Sequence, residues 1–387
     1  MPASDTQVAV IGGGVVGCAV AYALARRGVE AVVLEAERGL ALGASGANSG
    51  ILHTGFDSPP GELETRLLLR SSQLRTELLD ELAVPVWRCG ARLAASNEEE
   101  LESISRLAQN ARANGVEAHL DADGSLTVPG EAVTDPVAFV HALASGAQAG
   151  GATVRLGAAA GRIRAATQGA VTVELAGGER LSARAAVNCA GLFADEVARM
   201  AGDDFFSIYP RKGEFLVFAS PAGGGLQRIL LPVPSRLGKG VLVFPTIDGH
   251  VVAGPTARER EDKRDWSVEA DAEALILDRA RRMYPALERS RQVDAYAGLR
   301  PAGRDVNYLI EFSRALPELL HVAAIRSTGL SASLGIGEHV VGLLADRALV
   351  APVWARGLPS RGRPSPTAGW WQRAARHHAP AAERDGA

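Results

Sequence analysis

The first 35 residues switch twice between strand-like and helix-like patterns. Gln7 to Ile11 (QVAVI) is a short apolar run that ends in three glycines. Val15 to Arg27 (VVGCAVAYALARR) is rich in alanine and leucine and stops at Gly28, a C-terminal helix signal. Ala31 to Leu34 (AVVL) is a second apolar run, closed by Glu35. The pattern predicts a β–α–β unit with parallel strands and a right-handed crossover.

The periodicity then stops. Gly39 to Pro60 (GLALGASGANSGILHTGFDSPP) is glycine- and serine-rich with neither strand nor helix period, and a loop this long inside a compact domain is usually functional. Leucines at three- and four-residue spacing predict a helix from about Glu62 to Leu82. Val84 to Ala95 reads as a strand pair, Asn97 to Asn114 as an amphipathic helix, and Asp135-Pro136 as the opening of another helix. Strands are expected over Ala152 to Leu156, Ala170 to Leu175 and Leu181 to Asn188, with a turn at Gly177-Gly178. Phe215 to Ala219, Gly240 to Pro245 and Val251 to Gly254 suggest a second, more antiparallel sheet. Gly335 to Leu349 reads as a buried closing helix. Arg361 to Ala387 reads as a tail in which Trp370-Trp371 is the piece suited to docking on the body.

Composition narrows the class. A chain of 387 residues with 47% apolar and 22% charged residues is neither disordered, collagen-like nor a disulfide scaffold, and its length suits two or three domains. The net charge of −3 offers no field for nucleic acid or an anionic membrane. Only Lys212, Lys239 and Lys263 among the 41 basic residues are lysines, so arginine abundance by itself carries no functional weight. Cys18, Cys89 and Cys189 form no C-x-x-C pair, which argues against a zinc ribbon or a cysteine-ligated cluster; no metal site is expected. No transmembrane helix or signal peptide is expected, and the location read from this is cytoplasmic, with peripheral membrane association allowed.

The sharpest motif is Gly12-Gly13-Gly14-Val15-Val16-Gly17, a G-x-G-x-x-G between strand and helix. The first glycine allows the tight turn, the second lets a pyrophosphate approach the backbone, and the third lets the helix pack on the sheet. The phosphates then face the helix N-terminus, where free N–H groups and the dipole favour an anion. Glu35 stands eighteen positions after Gly17, where a carboxylate can accept hydrogen bonds from an adenosine ribose and would repel a 2′-phosphate. That leaves FAD or NAD. An NAD enzyme normally continues with further regular β–α units, whereas this chain inserts the loop with Gly43, Ser45, Asn48, Ser49 and His53.

Five segments carry a resemblance: GASGANSGILHTGFDSPPG (43–61), NCAGLFADEVARMAG (188–202), YPRKGEF (209–215), GLRP (298–301) and STGLSASLGIGEHV (327–340). With the glycine motif they resemble the D-amino-acid-oxidase-like superfamily of FAD enzymes, over roughly residues 7–350. Within it, the chain is most similar to flavin-dependent glycerol-3-phosphate dehydrogenases and L-2-hydroxyglutarate oxidases. The resemblance implies an α/β fold: a Rossmann-like FAD-binding domain (1–84, 137–204 and 296–352) with an inserted, mostly antiparallel α+β substrate domain (85–136 and 205–295), then an arginine- and proline-rich tail (353–387). It implies FAD contacts at Gly12, Gly14, Val16, Gly17, Glu35, Ser45, Asn48, Ser49, Ala160, Ala190 and Gly191. Gly329, Leu330 and Ser331 would supply backbone donors at a helix N-terminus facing the flavin pyrimidine.

Two residues are the candidates for chemistry. His53, beside the flavin by the resemblance, has three readings: a general base for a substrate hydroxyl, a histidine hydrogen-bonded in place, or a covalent flavin link. Arg300 in GLRP is the candidate grip for a substrate carboxylate or phosphate, because a guanidinium makes paired bonds to either. Its structural alternative is an ion pair with Asp294 or Asp305. Lys212, with Arg211, and Arg326 are further candidates for the substrate anion, against solvated surface charge. The expected reaction is CH–OH oxidation in a small anionic substrate, with a quinone, a carrier or oxygen as acceptor. CH–NH oxidation of an amino acid is the alternative. The PRKGE segment favours the glycerol-3-phosphate branch while chain length favours the hydroxyglutarate branch, so the substrate stays open between them.

Overall fold

A computed structural model describes residues 5–167, 169–221, 224–234, 240–358 and 369–378. The first sheet is built on the β–α–β unit. Thr6–Ile11 and Ala31–Leu34 pair in parallel, joined by the helix Val15–Arg26. Thr153–Arg155 extends this sheet beyond Ala31–Leu34. Arg180–Asn188 extends it on the other side, parallel to Thr6–Ile11, and its far end pairs in parallel with Leu319–Ala323. Val8, Ala9, Val10, Ala185, Ala186 and Val187 are fully buried, as expected for strands covered on both faces. Val171–Leu175 and Ala160–Ala165 continue the sheet antiparallel.

Helices built largely from small and branched apolar residues cover one face. Gly329–Asp346 packs against both Val15–Arg26 and Leu63–Glu81. The approach is close enough that a Cβ on Gly335 would stand 2.3 Å from the Leu67 carbonyl oxygen, and one on Gly337 would stand 2.7 Å from that of Ala19. Pro136–Ala149 lies against the first helix and is capped by Asp135, whose Oδ1 accepts from the N–H groups of Val137 and Ala138.

The second sheet has nine strands and is mostly antiparallel. Its spine is Ile208–Phe218, paired along its length with Gln292–Gly303 and on the other edge with Val251–Gly254 and Arg258–Glu259. Leu242–Pro245, Ile229–Leu231, Ala91–Leu93, Leu126–Val128 and His119–Leu120 complete it. The helix Ala270–Met283 buries Ile276 and Ala280 against its outer face. A small third sheet joins Ile51–Leu52, Ala132–Thr134 and Val86–Trp87, so part of the long glycine-rich loop is a strand.

Three expectations differ from what is observed. Val84 to Ala95 does hold two strands, Val86–Trp87 and Ala91–Leu93, but they belong to different sheets rather than to one hairpin. The Ile208–Phe218 strand begins seven residues before the expected start at Phe215, because its first half carries Lys212 and Glu214, which are charged yet fully buried and so break the apolar pattern. The closing helix begins at Gly329, where small residues give no apolar period to read. Within the tail, Trp371–His378 is helical and Trp370 and Trp371 are buried; Trp371 Nε1 donates to Asp294 Oδ2 at 2.9 Å. The tail expectation for 361–368 and 379–387 lies outside the described residues. No helix among the described residues is long and apolar enough to cross a membrane.

Candidate active site

Two cavities meet in the structure, and Ala44, Asn48 and Arg326 line both. The first, a cleft of about 630 Å³, follows the carboxyl ends of the parallel strands. Its floor is the glycine motif. Gly12 sits at φ +107, and a Cβ there would stand 2.5 Å from the Cys189 carbonyl oxygen. A Cβ on Gly17 would stand 1.9 Å from the Gly12 carbonyl oxygen, so only glycine lets the helix start this close to the strand. Gly14 is the helix N-cap and has no side chain to cap with; Ser45, from the long loop, accepts the Val15 N–H at 2.9 Å instead. The remaining first-turn N–H groups have no intrahelical partner by geometry.

Glu35 lines the same cleft. Its Oε2 accepts the Gly13 N–H at 2.7 Å and its Oε1 the Glu37 N–H at 2.8 Å. Burial pushes its pKa above the ordinary carboxylate value, against the lowering effect of those hydrogen bonds. Across the cleft, the turn Cys189-Ala190-Gly191 is held from below by a buried polar cluster. Asn188 Oδ1 accepts from the Ala190 N–H, and Asn188 Nδ2 donates to the Ala194 carbonyl and reaches His321 Nδ1 at 3.1 Å. His321 Nε2 faces Asp203 Oδ2 at 2.9 Å. Burial lowers the His321 pKa and so favours the neutral ring, and the contacts fit one tautomer: Nδ1 accepts from Asn188 Nδ2 and Nε2 donates to Asp203.

The second cavity, about 440 Å³, opens between the long loop and the second sheet. His53, Arg211, Thr256, Arg300 and Arg326 line it. Arg300 is half-buried; its Nε donates to the Arg211 carbonyl at 2.9 Å, and its Nη2 donates to the carbonyls of Lys212 at 3.1 Å and Thr256 at 2.9 Å. It makes no ion pair among the described residues, and neither do Arg211 and Arg326. Burial, then the charges of Arg211 and Arg326, lower the Arg300 pKa to about 10. With Arg279, four guanidinium groups line the cavity, against the two carboxylates of Asp57 and Glu64. The structural alternative fails at Asp294, which accepts instead from Trp371 and Gln372.

His53 enters the cavity with its ring anchored. Its Nδ1 lies 2.9 Å from Glu131 Oε2, its N–H donates to Ser331 Oγ at 2.8 Å, and its carbonyl accepts from Arg75 Nη2 at 2.7 Å. Glu64 also lines the cavity and accepts from Thr328 Oγ1 at 2.6 Å, in a chain that continues to Tyr308.

The positions singled out from sequence divide cleanly. Gly12, Gly14, Val16, Glu35, Ser45, Asn48, Ala160, Ala190, Gly191, Gly329 and Leu330 line the cleft, and Ser49, His53 and Arg300 line the second cavity. Gly17 lies beneath the cleft and serves close packing. Ser331 is buried, and its hydroxyl links the His53 N–H to the Ile51 carbonyl. Lys212 requires a correction. It is fully buried, and its Nζ donates to Asp265 Oδ2 at 2.9 Å and Ser267 Oγ at 3.0 Å and lies 3.4 Å from Glu269, away from the cavity that Arg211 faces. Sequence reasoning missed Glu131, Thr256 and Glu64, each on a segment with no motif around it. Cys18 and Cys189 are buried, with burial raising both thiol pKa values, Cys18 to about 12, so neither is poised as a thiolate.

The residues of the cleft fit a dinucleotide: a glycine floor that side chains would fill, a helix N-terminus and a ribose-ready carboxylate. A profile of the family described as FAD dependent oxidoreductase matches residues 7–343. The chain is similar to a glycerol 3-phosphate dehydrogenase of Caloramator mitchellensis, at 29% identity over 356 residues, 88% of this chain and 74% of that one. It is also similar to an L-2-hydroxyglutarate dehydrogenase of Escherichia coli, at 29% identity over 297 residues, 71% of this chain and 70% of that one. Among solved structures, the dithionite-reduced L-alpha-glycerophosphate oxidase from Mycoplasma pneumoniae with FAD bound matches with a TM-score of 0.83 and 25% identity, over 91% of this chain and 97% of that one. The chain belongs to the FAD dependent oxidoreductase family, and its cofactor is FAD.

Proposed function

We propose that this flavoenzyme oxidises the CH–OH group of a small anionic substrate, with glycerol 3-phosphate as the first choice. The observation that carries the reading is the cavity beside His53 in which Arg211, Arg300 and Arg326 make no ion pair among the described residues. A phosphate dianion would pair with Arg211, Arg300 and Arg326, since the cavity's four arginines outnumber its two carboxylates, Asp57 and Glu64, and Arg300, already pinned by three carbonyls, is oriented before substrate arrives. His53 takes the hydroxyl proton, and FAD, when bound, accepts the hydride from the same carbon. In this reading the backbone at Gly12, Gly14 and Val16 receives the pyrophosphate, Glu35 the ribose, and Gly329-Leu330 donates to the flavin from a helix N-terminus. A 2-hydroxy dicarboxylate is the second reading, supported by similarity to the L-2-hydroxyglutarate dehydrogenase and by the same arginines.

Anaerobic mixing of the holoenzyme with glycerol 3-phosphate, L-2-hydroxyglutarate, glycine and D-amino acids tests this directly. Bleaching of the flavin band by glycerol 3-phosphate is the expected outcome. Bleaching only by amino acids would replace alcohol oxidation with amine oxidation.

A further inference from the structure

His53 has two ring nitrogens, and the structure commits one of them. Nδ1 faces Glu131 Oε2 at 2.9 Å, which leaves Nε2 as the nitrogen available to the cavity. Glu131 is fully buried and does not itself line the cavity. Its other oxygen, Oε1, accepts the Thr54 N–H at 2.7 Å and the Thr54 hydroxyl at 2.9 Å. The turn that carries it can approach this closely because residue 130 is glycine: a Cβ there would stand 2.9 Å from Thr54 Cγ2. Arg75 supplies positive charge nearby. Its guanidinium is buried, feels the Glu131 charge, donates to the His53 carbonyl, and has a buried Nε with no hydrogen-bond partner among the described residues. A buried carboxylate is costly unless hydrogen bonds and a countercharge offset it, and here both surround the Nδ1 contact.

We propose that Glu131 is a positioning residue for the reaction assigned above: it fixes the His53 tautomer with the proton on Nδ1, so that Nε2 presents its lone pair to the substrate hydroxyl. The inference rests on that assignment of His53 as the base. In the step, the substrate O–H bond breaks and an N–H bond forms at Nε2, while the C–H bond breaks and its electron pair leaves as hydride to FAD, giving a carbonyl product. The Nδ1 proton stays on the ring throughout. The imidazolium that forms is stabilised by the Glu131 carboxylate at 2.9 Å.

Glu131→Gln separates positioning from mere packing because it preserves size and the number of hydrogen-bonding groups. The Thr54 N–H can only donate, so the Gln carbonyl must take the Oε1 place. That turns the amide NH₂ toward Nδ1, which must then accept, and the ring proton moves to Nε2. A base with its lone pair on the wrong side is expected to reduce flavin about 100-fold more slowly or worse. Substrate Kd should change by less than about threefold and flavin content should stay normal, since neither cavity loses a lining group.

The experiment pairs anaerobic stopped-flow of the holoenzyme, using whichever of glycerol 3-phosphate and L-2-hydroxyglutarate bleaches the flavin, with ¹⁵N NMR of the histidine rings. His53→Asn identifies the His53 signal and tests the base itself. Slow reduction in Glu131→Gln with an Nδ1–H ring in the wild type supports the inference. Near-wild-type reduction in Glu131→Gln while His53→Asn is slow overturns it and leaves the base assignment standing. Near-wild-type reduction in His53→Asn overturns the base assignment as well. If Glu131→Gln does not fold, the wild-type ring decides alone: an Nε2–H tautomer at neutral pH overturns the proposal and an Nδ1–H tautomer supports it.

Discussion

The glycine-floored cleft and the arginine-lined cavity meet at Ala44, Asn48 and Arg326 but are made of different material. The floor of the cleft is mostly backbone: glycines, a helix N-terminus and a strand-end turn, with the Glu35 carboxylate fixed by two N–H groups. The cavity is mostly side chains, and its arginines and histidine come from the long loop, the spine strand of the second sheet, its partner strand, the helix Ala270–Met283 and the segment before the closing helix. Backbone recognition tolerates little change at its glycines and says little about the substrate. Side-chain recognition can be altered one residue at a time, and under the proposed function the substrate is chosen there.

The largest effect should follow from damaging the backbone side. Gly17→Val places a branched side chain where even a Cβ would stand 1.9 Å from the Gly12 carbonyl oxygen. The helix must move off the strand, and the cleft floor moves with it. Purified Gly17→Val should carry no flavin, or fail to accumulate as folded protein. A stoichiometric flavin-to-protein absorbance ratio in this variant would mean the glycine motif is not the floor of the cofactor site.

The same contrast explains what could be read from the chain. The floor of the cleft was legible because Gly12–Gly17 and Glu35 lie within about thirty residues and their chemistry dictates residue type: a turn and two close approaches need glycine, and a ribose calls for a carboxylate. The cavity was legible only in part, and Lys212 shows why. Side chains alternate across a strand, so Arg211, Gly213 and Phe215 share one face of Ile208–Phe218 while Lys212 and Glu214 share the other. Arg211 and Phe215 line the cavity. A strand read as starting at Phe215 leaves the facing of 211 and 212 undetermined, and choosing between them needs the register against Gln292–Gly303. Glu131 was out of reach for a different reason. Its contact with His53 spans 78 positions, and neither segment carries a pattern that announces the other.

On the side-chain half, Arg300 and Lys212 should behave as opposites. Arg300→Ala removes a cavity guanidinium, and kcat/KM should fall roughly 10- to 150-fold, from about 1.5–3 kcal/mol of lost charge-assisted bonding. Lysine at 300 should recover only part of that, because it keeps the charge but not the fork that binds three carbonyls and an anion together. Lys212→Met should instead leave kcat/KM per flavin within about threefold while costing roughly 1–3 kcal/mol of stability, since Asp265 loses its ion-pair partner while Glu269 keeps Arg258 and Arg260. Steady-state kinetics normalised to flavin, with thermal melts of both variants, reads the contrast. A kinetic defect in Lys212→Met equal to that of Arg300→Ala would erase it.

A smaller change is expected from Glu35→Gln. The amide keeps an acceptor for one of the two N–H groups now bound by the carboxylate, but loses the charge that strengthens a ribose hydrogen bond. FAD affinity should fall by about 1 kcal/mol, near fivefold in Kd, with kcat unaffected once flavin is saturating. Titration of apoprotein by flavin fluorescence quenching measures this. An unchanged Kd would place the ribose away from Glu35.

The smallest effect is a slope of stability with pH, and it belongs to the cofactor half. Burial lowers the His321 pKa from the ordinary 6.5, with the hydrogen bond and charge of Asp203 only partly restoring it. The unfolded chain therefore binds this proton more readily than the folded one as pH falls through about 6.5. Stability from the neutral ring is fully present above that value and is lost progressively as the pH drops toward and below the folded pKa. A proton there would also disrupt the Asn188 contact that steadies the Cys189-Ala190-Gly191 turn, so flavin release should accompany the loss. His321→Gln can accept from Asn188 and donate to Asp203 without titrating. Melting temperature measured between pH 8 and 5 should fall less steeply in that variant than in the wild type, with later flavin release. Parallel curves for the two proteins would assign the acid sensitivity to groups other than His321.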